Sequence, residues 1–524
     1  LFLLVLIYGI TLQAQVTLKG YVFDNATNET LIGATIVSSN GAGTVTDFNG
    51  FYQISLPQGK TELRVSYVGY EELKKTITLY SDTELSLSLS SQILNEVELV
   101  SDIARSRETP VAFSNISPKQ LQEELAGQDI PLILNSTPGV YATQSGGGDG
   151  DARISIRGFN QRNVAVMVDG IPMNDMENGW VYWSNWFGLD VMTKTIQVQR
   201  GLGASKLAIP AVGGTMNILT KGIDSKKGLK FSQDVGNNGY LKSTIGYNSG
   251  KLKNGWGYSL AASYKENNGW VDQTWSQGTF YYLKIQKKIK NHRLSFTAFG
   301  APQSHGQRSY KKAITLYDKS FAADLGIDTT GVVGDFGLRY NEHWGRLNRY
   351  TVNFDEDGNP TDTTFAENEI VNSKMNYYHK PQISLNHLWA ASEKLVVSNV
   401  LYVSLGNGGG TGANPSISAD NFGADNQIDF QSMYDNNSGN TRHPFLGDLS
   451  IDVNYSPTEH KATQFIRSSI NNHRWFGLLS TYNYESNDKM TLSGGIDLRH
   501  YTGEHYREVY DLLGGDYYVA NDNV

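Results

Sequence analysis

After residue 222, the sequence consists of segments in which apolar and polar residues alternate. Within Phe280–Gln286, Tyr281, Leu283 and Ile285 share one face of a strand, because successive side chains point to opposite faces. The other face carries Tyr282, Lys284 and Gln286. The segment near 490–501 repeats the pattern, with Thr491, Ser493, Asp497 and Arg499 opposite Leu492, Ile496 and Leu498. Such alternation predicts strands with one apolar face, which is turned outward in a membrane barrel and inward in a soluble sandwich.

The connections between these segments favour the barrel. Nine strands are predicted, near 228–236, 240–248, 256–265, 279–288, 293–299, 382–389, 395–404, 474–484 and 490–501. From residue 256 onward, short turns alternate with long excursions, as in outer-membrane barrels, and the longest spans 300–381. Loops of that length argue against a compact soluble domain. A single-chain bacterial barrel needs an even number of strands and a closed wall, so we expect this chain to lack the C-terminal part of its barrel.

Composition excludes several other classes of protein. The mean hydropathy of −0.38 excludes a multi-span helical membrane protein, whereas barrel strands average to near-neutral hydropathy. The formal charge is 44 − 52 = −8, which argues against a nucleic-acid partner. The chain contains no Cys, so disulfides, thiolate metal sites and Cys nucleophiles are excluded.

The N-terminal region predicts export followed by a small β-domain. Residues 1–14 resemble the apolar part of a clipped secretory signal ending at Ala14, and the run is too short to span a bilayer. Residues 16–90 show short strands and Gly/Asn/Asp turns, which predict a β-sandwich. Through Gly20–Asp24, Thr44–Tyr52 and Ser66–Tyr70, this stretch resembles the carboxypeptidase-regulatory-like domain.

Residues 91–110 join an apolar-acidic strip to a charged stretch that ends in Pro110. This segment is either a linker or an extended strand that adds to the sheet edge of a partner. Residues 111–222 then predict a mixed α/β domain. Ser117 and Pro118 open a helix as N-cap and first residue, and strands at 153–159 and 164–168 follow, the second turning at Asp169-Gly170.

Four ordered segments of 111–222 resemble the plug of TonB-dependent outer-membrane receptors. They are Ile154–Asn160, Val166–Pro172, Ile196–Gly201 and Ala211–Lys221. The resemblance marks as plug-motif residues Arg153, Arg157, Gly158, Asp169, Gly170, Pro172, Arg200, Gly201, Gly213 and Gly214. It implies a mainly β protein in which 223–524 form the first part of a transmembrane antiparallel barrel, with 22 strands in the complete family member. The N-terminal domain is typical of Bacteroidetes receptors of this kind, including SusC-like ones.

The same resemblance implies partner proteins and a segment on which one of them pulls. The strip in 91–110 stands where the family carries its TonB box, which favours the partner-binding strand over the linker; its residues are Asn95, Glu96, Val97, Glu98, Leu99 and Val100. The implied partners are the TonB-ExbB-ExbD complex and outer-membrane lipid, and a SusD-like surface lipoprotein is a further candidate.

Two groups of plug residues are candidates for contacts with a ligand or with the barrel. Trp180, Tyr182, Trp183, Asn185 and Trp186 either contact a ligand or pack the plug against the barrel wall. Arg153, Arg157 and Arg200, together with Asp169, are predicted to form ion pairs between plug and barrel.

The function predicted from sequence is TonB-dependent uptake of a large nutrient ligand, either a ferric chelate or a glycan or peptide. The sequence shows none of the hydrolase, zinc-protease or phosphate-loop motifs, so no enzyme activity, cofactor or metal site is expected. The alternative is a non-transporting adhesin or a passive pore.

Overall fold

A computed structural model describes residues 15–25, 29–67, 70, 72–89, 112–144, 152–201, 211–309, 311–356, 360–366, 368–392, 394–418, 421–423, 426–439, 442–443, 447–448, 450–487 and 490–520. The chain divides into two compact units, Leu1–Thr109 and Pro110–Val524, and each is described by itself. Among the described residues, no helix combines the length and the apolar character that crossing a membrane requires.

The first unit is the predicted β-sandwich. Its strands are β1 (Gln15–Asp24), β2 (Thr35–Ser38), β3 (Gly43–Val45), β4 (Phe51–Pro57), β5 (Gly59–Ser66), β6 (Leu73–Leu79), β7 (Thr83–Glu84) and β8 (Leu87–Leu89). One sheet has the order β4-β1-β7, with β8 also on β1, and the other has the order β3-β2-β5-β6. Alternate residues such as Leu18, Ile36 and Leu63 are fully buried in a shared core, so each strand buries one face.

The second unit begins with a plug of two small sheets. Its strands are β9 (Ala112–Ile116), β10 (Val140–Thr143), β11 (Arg153–Ile156), β12 (Phe159–Asn160), β13 (Val164–Val168), β14 (Ile171–Pro172), β15 (Thr193–Arg200) and β16 (Gly214–Thr220). One sheet is β10-β11-β12, and the other is β14-β13-β16-β15-β9. Helix α1 (Pro118–Glu124) is capped as predicted, since the Ser117 side chain accepts a hydrogen bond from the Gln120 amide. Four 3₁₀ turns, Ile130–Ser136, Gln161–Asn163, Trp183–Trp186 and Leu189–Met192, connect these elements.

A single antiparallel sheet of eleven segments surrounds one side of the plug. The segments are β17 (Gly228–Val235), β18 (Leu241–Asn248), β19 (Trp256–Asn267), β20 (Ser276–Ile289), β21 (His292–Gly300), β22 (Gln303–Gly306), β27 (Met375–His379), β28 (Gln382–Ala390), β29 (Leu395–Asn414), β32 (Phe465–Asn487) and β33 (Met490–Asp511). All nine predicted strands are present. The two extra segments are short continuations: β22 extends β21, and β27 precedes β28 in line, so each pair acts as one strand.

The predicted ends of the last three strands are wrong. Strand β29 runs to Asn414 rather than 404, β32 starts at Phe465 rather than 474, and β33 ends at Asp511 rather than 501. These three strands therefore extend well beyond their neighbours on the side of the long connections.

The burial of the two sheet faces distinguishes a membrane barrel from a soluble sandwich. One register row consists of apolar residues that are exposed or half-exposed: Tyr258, Ile285, Phe296, Leu385, Leu401, Leu478 and Leu498. We call this the outer row. The row one residue away faces the plug and is buried or nearly so: Ser259, Lys284, Thr297, Ser384, Tyr402, Gly477 and Arg499. The sheet thus buries its mostly polar face and exposes its apolar face, as a barrel wall in lipid does.

The two long connections form a small domain of their own. They contain β23 (Trp344–Leu347), β24 (Tyr350–Phe354), β25 (Pro360–Phe365), β26 (Glu369–Asn372), β30 (Arg442–His443), β31 (Gly447–Asp448), α2 (Lys319–Asp324), α3 (Phe430–Asn437) and a 3₁₀ turn, Ile314–Leu316. A core that includes Leu347, Phe430 and Tyr434 joins both connections to Ile466 on β32. We call this the loop domain.

Candidate functional site

Three ion pairs hold the plug against the sheet, and all three have the same orientation of charge. The plug and its exit segment supply the carboxylates, and the sheet supplies the cations. Asp169 lies 3.0 Å from Lys284 Nζ, Asp190 lies 3.0 Å from Lys242 Nζ, and the Asp224–Arg293 pair is 3.5 Å apart. The lysines face the plug because each occupies an inward position of its strand. The contact therefore fixes position through charge as well as apolar packing.

Asp169 is the most completely satisfied of these carboxylates. It occupies the predicted turn between β13 and β14, with a positive φ of 49° that is followed by Gly170 at 80°. Its oxygens accept hydrogen bonds from the Thr220 amide at 2.8 Å and hydroxyl at 2.6 Å, in addition to Lys284. Burial would raise the pKa of Asp169, but Lys284 and the Thr220 hydrogen bonds outweigh it and hold the pKa below its usual value.

The predicted arginine ion pairs are not borne out in the same way. Arg200 donates hydrogen bonds to the carbonyls of Pro138 at 2.7 Å and Phe113 at 3.4 Å, both within the plug. Among the described residues, neither Arg157 nor Arg200 makes an ion pair with the sheet. Arg153 stacks on Trp180, at 4.4 Å from the ring centroid. Carbonyl oxygens of the plug thus hold the Arg200 guanidinium group, and Asp169 of the predicted set forms an ion pair with the sheet.

The motif glycines of the plug occupy positions that demand glycine for different reasons. Gly158 and Gly170 have positive φ, and so does Gly201, where a Cβ would lie 2.5 Å from Arg157 Nη1. Gly214 has φ 135°, and a Cβ there would overlap the Gln199 carbonyl oxygen. A Cβ on Gly213 would lie 2.8 Å from Phe159 Cβ. Pro172 ends β14 and is buried.

The aromatic segment of the plug divides into a packed part and an open part. Trp183, Asn185 and Trp186 are buried, and Trp186 contacts Phe299 of β21 with ring centroids 5.7 Å apart. Phe187 likewise contacts Phe280 at 6.5 Å. The structure favours wall packing over direct stacking on a ligand for these aromatic rings.

Trp180 and Tyr182 remain near the surface of the plug. The guanidinium groups of Arg153 and Arg162 both lie over the Trp180 ring, at 4.4 and 4.5 Å from its centroid. These cation–π contacts engage its π surface, so Trp180 is poorly placed to stack on a ligand. Tyr182 is 50% exposed and is the aromatic side chain of this segment that is open to contact.

A polar cavity of about 220 Å³ separates this part of the plug from the inner face of the sheet. We call it the apex cavity. The plug contributes Asp175, Glu177, Asn178, Tyr182, Ser184 and Asn185, and the sheet contributes Asn376, Tyr378, Lys380, Gly409, Asn471, Asn472, His473, Tyr501 and His505. Lys380 lies between β27 and β28, and the other sheet residues belong to β27, β29, β32 and β33.

Hydrogen bonds link the two walls of the apex cavity. His505 Nε2 lies 2.8 Å from Glu177 Oε1, and His505 Nδ1 lies 2.9 Å from Asn471 Oδ1. The sheet residues were missed by the sequence reasoning, although the inward parity of Tyr378 and Tyr501 could have identified them. Among the described residues, no group of three His, Asp or Glu side chains is placed to hold a metal ion. The predicted TonB-box residues 95–100 and the signal segment lie outside the described residues.

Comparison with known proteins assigns both N-terminal regions to families. The CarboxypepD_reg-like domain matches residues 18–100, and the TonB-dependent Receptor Plug Domain matches residues 105–215. The described strands from β17 onward supply the wall against which that plug packs.

Curated relatives include the vitamin B12 transporter BtuB of Vibrio vulnificus, 25% identical over 186 residues that cover 36% of this chain and 30% of the relative. The TonB-dependent receptor SusC of Bacteroides thetaiotaomicron is 29% identical over 185 residues, which cover 33% of this chain and 18% of the relative. The chain thus spans less than a third of the length of these relatives, which are named as a transporter and a receptor.

One solved structure supports the fold. The closed form of the ferric-catecholate import receptor Fiu from E. coli K12 superposes with a TM-score of 0.50 at 13% identity, covering 78% of this chain and 50% of that chain. The order of a regulatory-like domain, a plug and an outward-apolar sheet agrees with these matches. The chain therefore contains a CarboxypepD_reg-like domain followed by a TonB-dependent receptor plug domain, and it is similar to TonB-dependent outer-membrane receptors.

Proposed function

We propose that the whole protein takes up a large nutrient ligand across the outer membrane, and that it is a transporter rather than an enzyme. The observation that carries the proposal is the way in which the plug is held. Charged contacts at Asp169 and Asp190 fix it inside a wall whose outer face is apolar. A plug that blocks a pore and must later yield is better served by polar contacts than by a continuous apolar core.

The apex cavity is the proposed point of ligand entry. It lies between the plug and the strand ends that carry the loop domain, so a ligand there contacts both the mobile part and the fixed wall. The Glu177–His505 contact at 2.8 Å bridges the two walls. A ligand that displaces it would remove one contact between the plug and the sheet, so binding would change how the plug is held.

We further propose that residues 95–100 act as the TonB box, which the TonB-ExbB-ExbD complex would engage. The support is positional: the segment precedes β9, the edge strand of the larger plug sheet, which pairs only with β15 among the described strands. An edge strand is held on one side alone, so force applied before Ala112 acts on a weakly held element.

Deletion of residues 94–100 in the full-length receptor tests this proposal. Uptake of the ligand by energised cells should be abolished, while its binding to isolated outer membranes should be unchanged. Deletion of residues 101–107 is the matched control, because it shortens the same segment by seven residues and spares the box. Uptake that survives removal of 94–100 would refute the assignment.

The alternative is an adhesin or a passive pore, and a collapse of the proton gradient distinguishes it. Energy-dependent accumulation would stop, whereas passive permeation would continue. A SusD-like surface lipoprotein remains a candidate partner, and its co-purification with the full-length receptor would identify one.

A further inference from the structure

We infer that the apex cavity binds a neutral, polyhydroxylated chain, an oligosaccharide, on a strip of aromatic side chains laid across a glycine segment of β29. This inference rests on the proposed uptake function and names its ligand class. The floor of the apex cavity consists of Tyr378, His473 and Tyr501, which we call the aromatic strip.

The glycine segment allows the rings of the strip to lie close to the backbone of β29. Strand β29 carries Gly406, Gly408, Gly409, Gly410 and Gly412. Tyr378 of β27 is the register partner of Gly408, yet its hydroxyl donates to the Asn471 carbonyl of β32 at 2.8 Å. The Tyr378 ring therefore extends across β29, which lies between β27 and β32. A Cβ on Gly408 would lie 2.7 Å from the Tyr378 ring, so any larger residue would lift it.

His473 and Tyr501 continue the strip across the next two strands. A Cβ on Gly406 would lie 2.6 Å from His473 Nε2, so this ring also rests on a bare strand. Ring centroids are 6.1 Å apart for Tyr378 and His473 and 5.9 Å apart for His473 and Tyr501. The ring planes are tilted by 52° and 43° to one another, so the strip is curved. Tyr378 and Tyr501 are each partly exposed and offer an apolar face with a polar edge, on which a sugar ring can stack.

Two buried hydrogen-bond acceptors in the lining of the cavity have no partner among the described residues. The Tyr378 hydroxyl gives its proton to Asn471, so His473 Nδ1, 3.2 Å away, donates to that hydroxyl and leaves Nε2 as an acceptor. His473 is 6% exposed, and this Nε2 has no partner among the described residues. Asn185 is 4% exposed, and its Oδ1 likewise has no partner within the described part of the chain.

The carboxylates of Asp175 and Glu177, on the plug wall, line the same cavity as these two unpartnered acceptors. A ligand that satisfies them must bring donors, and hydroxyl groups are donors without charge. An anionic ferric chelate would instead meet these carboxylates, with Lys380 as the one Lys or Arg among the described lining residues. Leaving the two buried acceptors unmatched is costly, so a ligand that brings hydroxyl donors is favoured over an anionic chelate.

The test is binding by titration calorimetry to the detergent-solubilised full-length receptor. The probes are neutral hexasaccharides of glucose, xylose and mannose, ferric citrate, ferrichrome and an alanine-rich hexapeptide. At least one hexasaccharide should bind saturably, and Tyr378→Ala should weaken it at least tenfold. Tyr377→Ala is the matched control, because the Tyr377 hydroxyl contacts Ser468 on the opposite face of the same sheet, and it should change affinity less than twofold.

Tyr378→Phe keeps the ring and loses the hydroxyl, so it should retain affinity within about threefold if stacking dominates. Heat-modifiable mobility on electrophoresis checks that each variant is folded. Binding of a chelate or the peptide with no hexasaccharide bound, no binding by any probe, or equal losses in Tyr378→Ala and Tyr377→Ala would overturn the inference. Energised uptake of a bound chelate would overturn the ligand class and keep the transport function. Sugar binding without uptake in energised cells would keep the ligand class and overturn the transport function.

Discussion

Lys284 and Asp169 show how single residues hold the plug. Their side chains are 8% and 15% exposed, and both charges are removed from water. Such a pair adds little net stability, because desolvation offsets attraction, but losing one partner leaves an unpaired buried charge. The Thr220 hydroxyl, which Tyr282 also contacts at 2.8 Å, extends the network into the sheet.

We expect Lys284→Met to destabilise the seated plug by about 3–5 kcal/mol, and Asp169→Asn with Lys284→Met to recover much of that loss. Hydrogen exchange of peptides 164–172 and 214–220 in the full-length receptor measures the opening free energy. Arg339→Met is the control, because its pair with Asp272 is 63% and 41% exposed and should be worth less than about 1 kcal/mol. Equal effects of Lys284→Met and Arg339→Met on the opening free energy would contradict this interpretation.

The sign of the pH dependence follows from Asp169. Its folded-state pKa lies below its usual value of 3.8, so the pair contributes fully above pH 3.8. The contribution disappears as the pH falls through the folded-state pKa and the carboxylate is protonated.

Single positions also show what the sequence could predict. The plug motifs include Gly214 and Asp169, and the structure places Gly214 at a close backbone approach and Asp169 in a tight turn, where residue type is restricted. The fate of the tryptophans could not be predicted, since Trp180 and Trp186 have the same chemistry and differ only in tertiary neighbours. Tyr378 escaped notice because its partners lie on strands more than 90 residues away.

Among the elements, β29 extends well past its predicted end, from residue 404 to Asn414. The run Gly406–Gly412 reads as a loop, since Gly weakens strands by lacking a side chain. The strand continues because Tyr377 and Tyr378, consecutive on β27, cover its two faces. Long-range contacts thus supply the surface that the local sequence lacks.

Helix α3 shows how the loop domain is attached to the extended strands. Asn437 at its end is fully buried, and its Nδ2 donates to the carbonyls of Gln464, Leu512 and Leu513. Its Oδ1 accepts from the Thr463 amide at 3.0 Å. One side chain therefore joins the helix to the start of β32 and to the end of β33.

We expect Asn437→Ala to leave these carbonyls unsatisfied and to speed cleavage of residues 415–464 at least tenfold. Limited proteolysis of intact cells that display the full-length receptor measures the rate. Asn436→Ala, an exposed neighbour on the same helix, should cleave at the wild-type rate. Identical rates for both variants would show that the loop domain is held by its apolar core instead.

At the scale of the whole second unit, the outer row sets the relation to the membrane. Seven strands contribute one apolar residue each to this row, while the adjacent inward row is mostly polar. The alternation was readable from the sequence. The alternation alone did not show which face is buried, because a strand pattern is symmetric until a plug or a second sheet covers one side; only the connection lengths favoured the barrel.

Leu385→Arg should therefore lower receptor stability by about 2–4 kcal/mol, since it places a charge at the middle of the lipid-facing wall. Refolding into lipid vesicles along a denaturant titration measures the change. Tyr506→Arg is the control, because Tyr506 is similarly exposed but lies eight residues beyond Leu498 toward the loop domain, where a charge should be worth less than about 1 kcal/mol. A comparable loss in both variants would argue against a membrane-depth effect.

The register of the outer row also limits how such a chain can change length. One residue inserted within β28 would turn every later side chain of that strand to the opposite face, so Leu385 and Ser384 would exchange surroundings. Two inserted residues would restore the faces and only lengthen the strand. Insertions and deletions in the wall are therefore tolerable in even numbers, whereas odd numbers must be confined to the turns and the long connections.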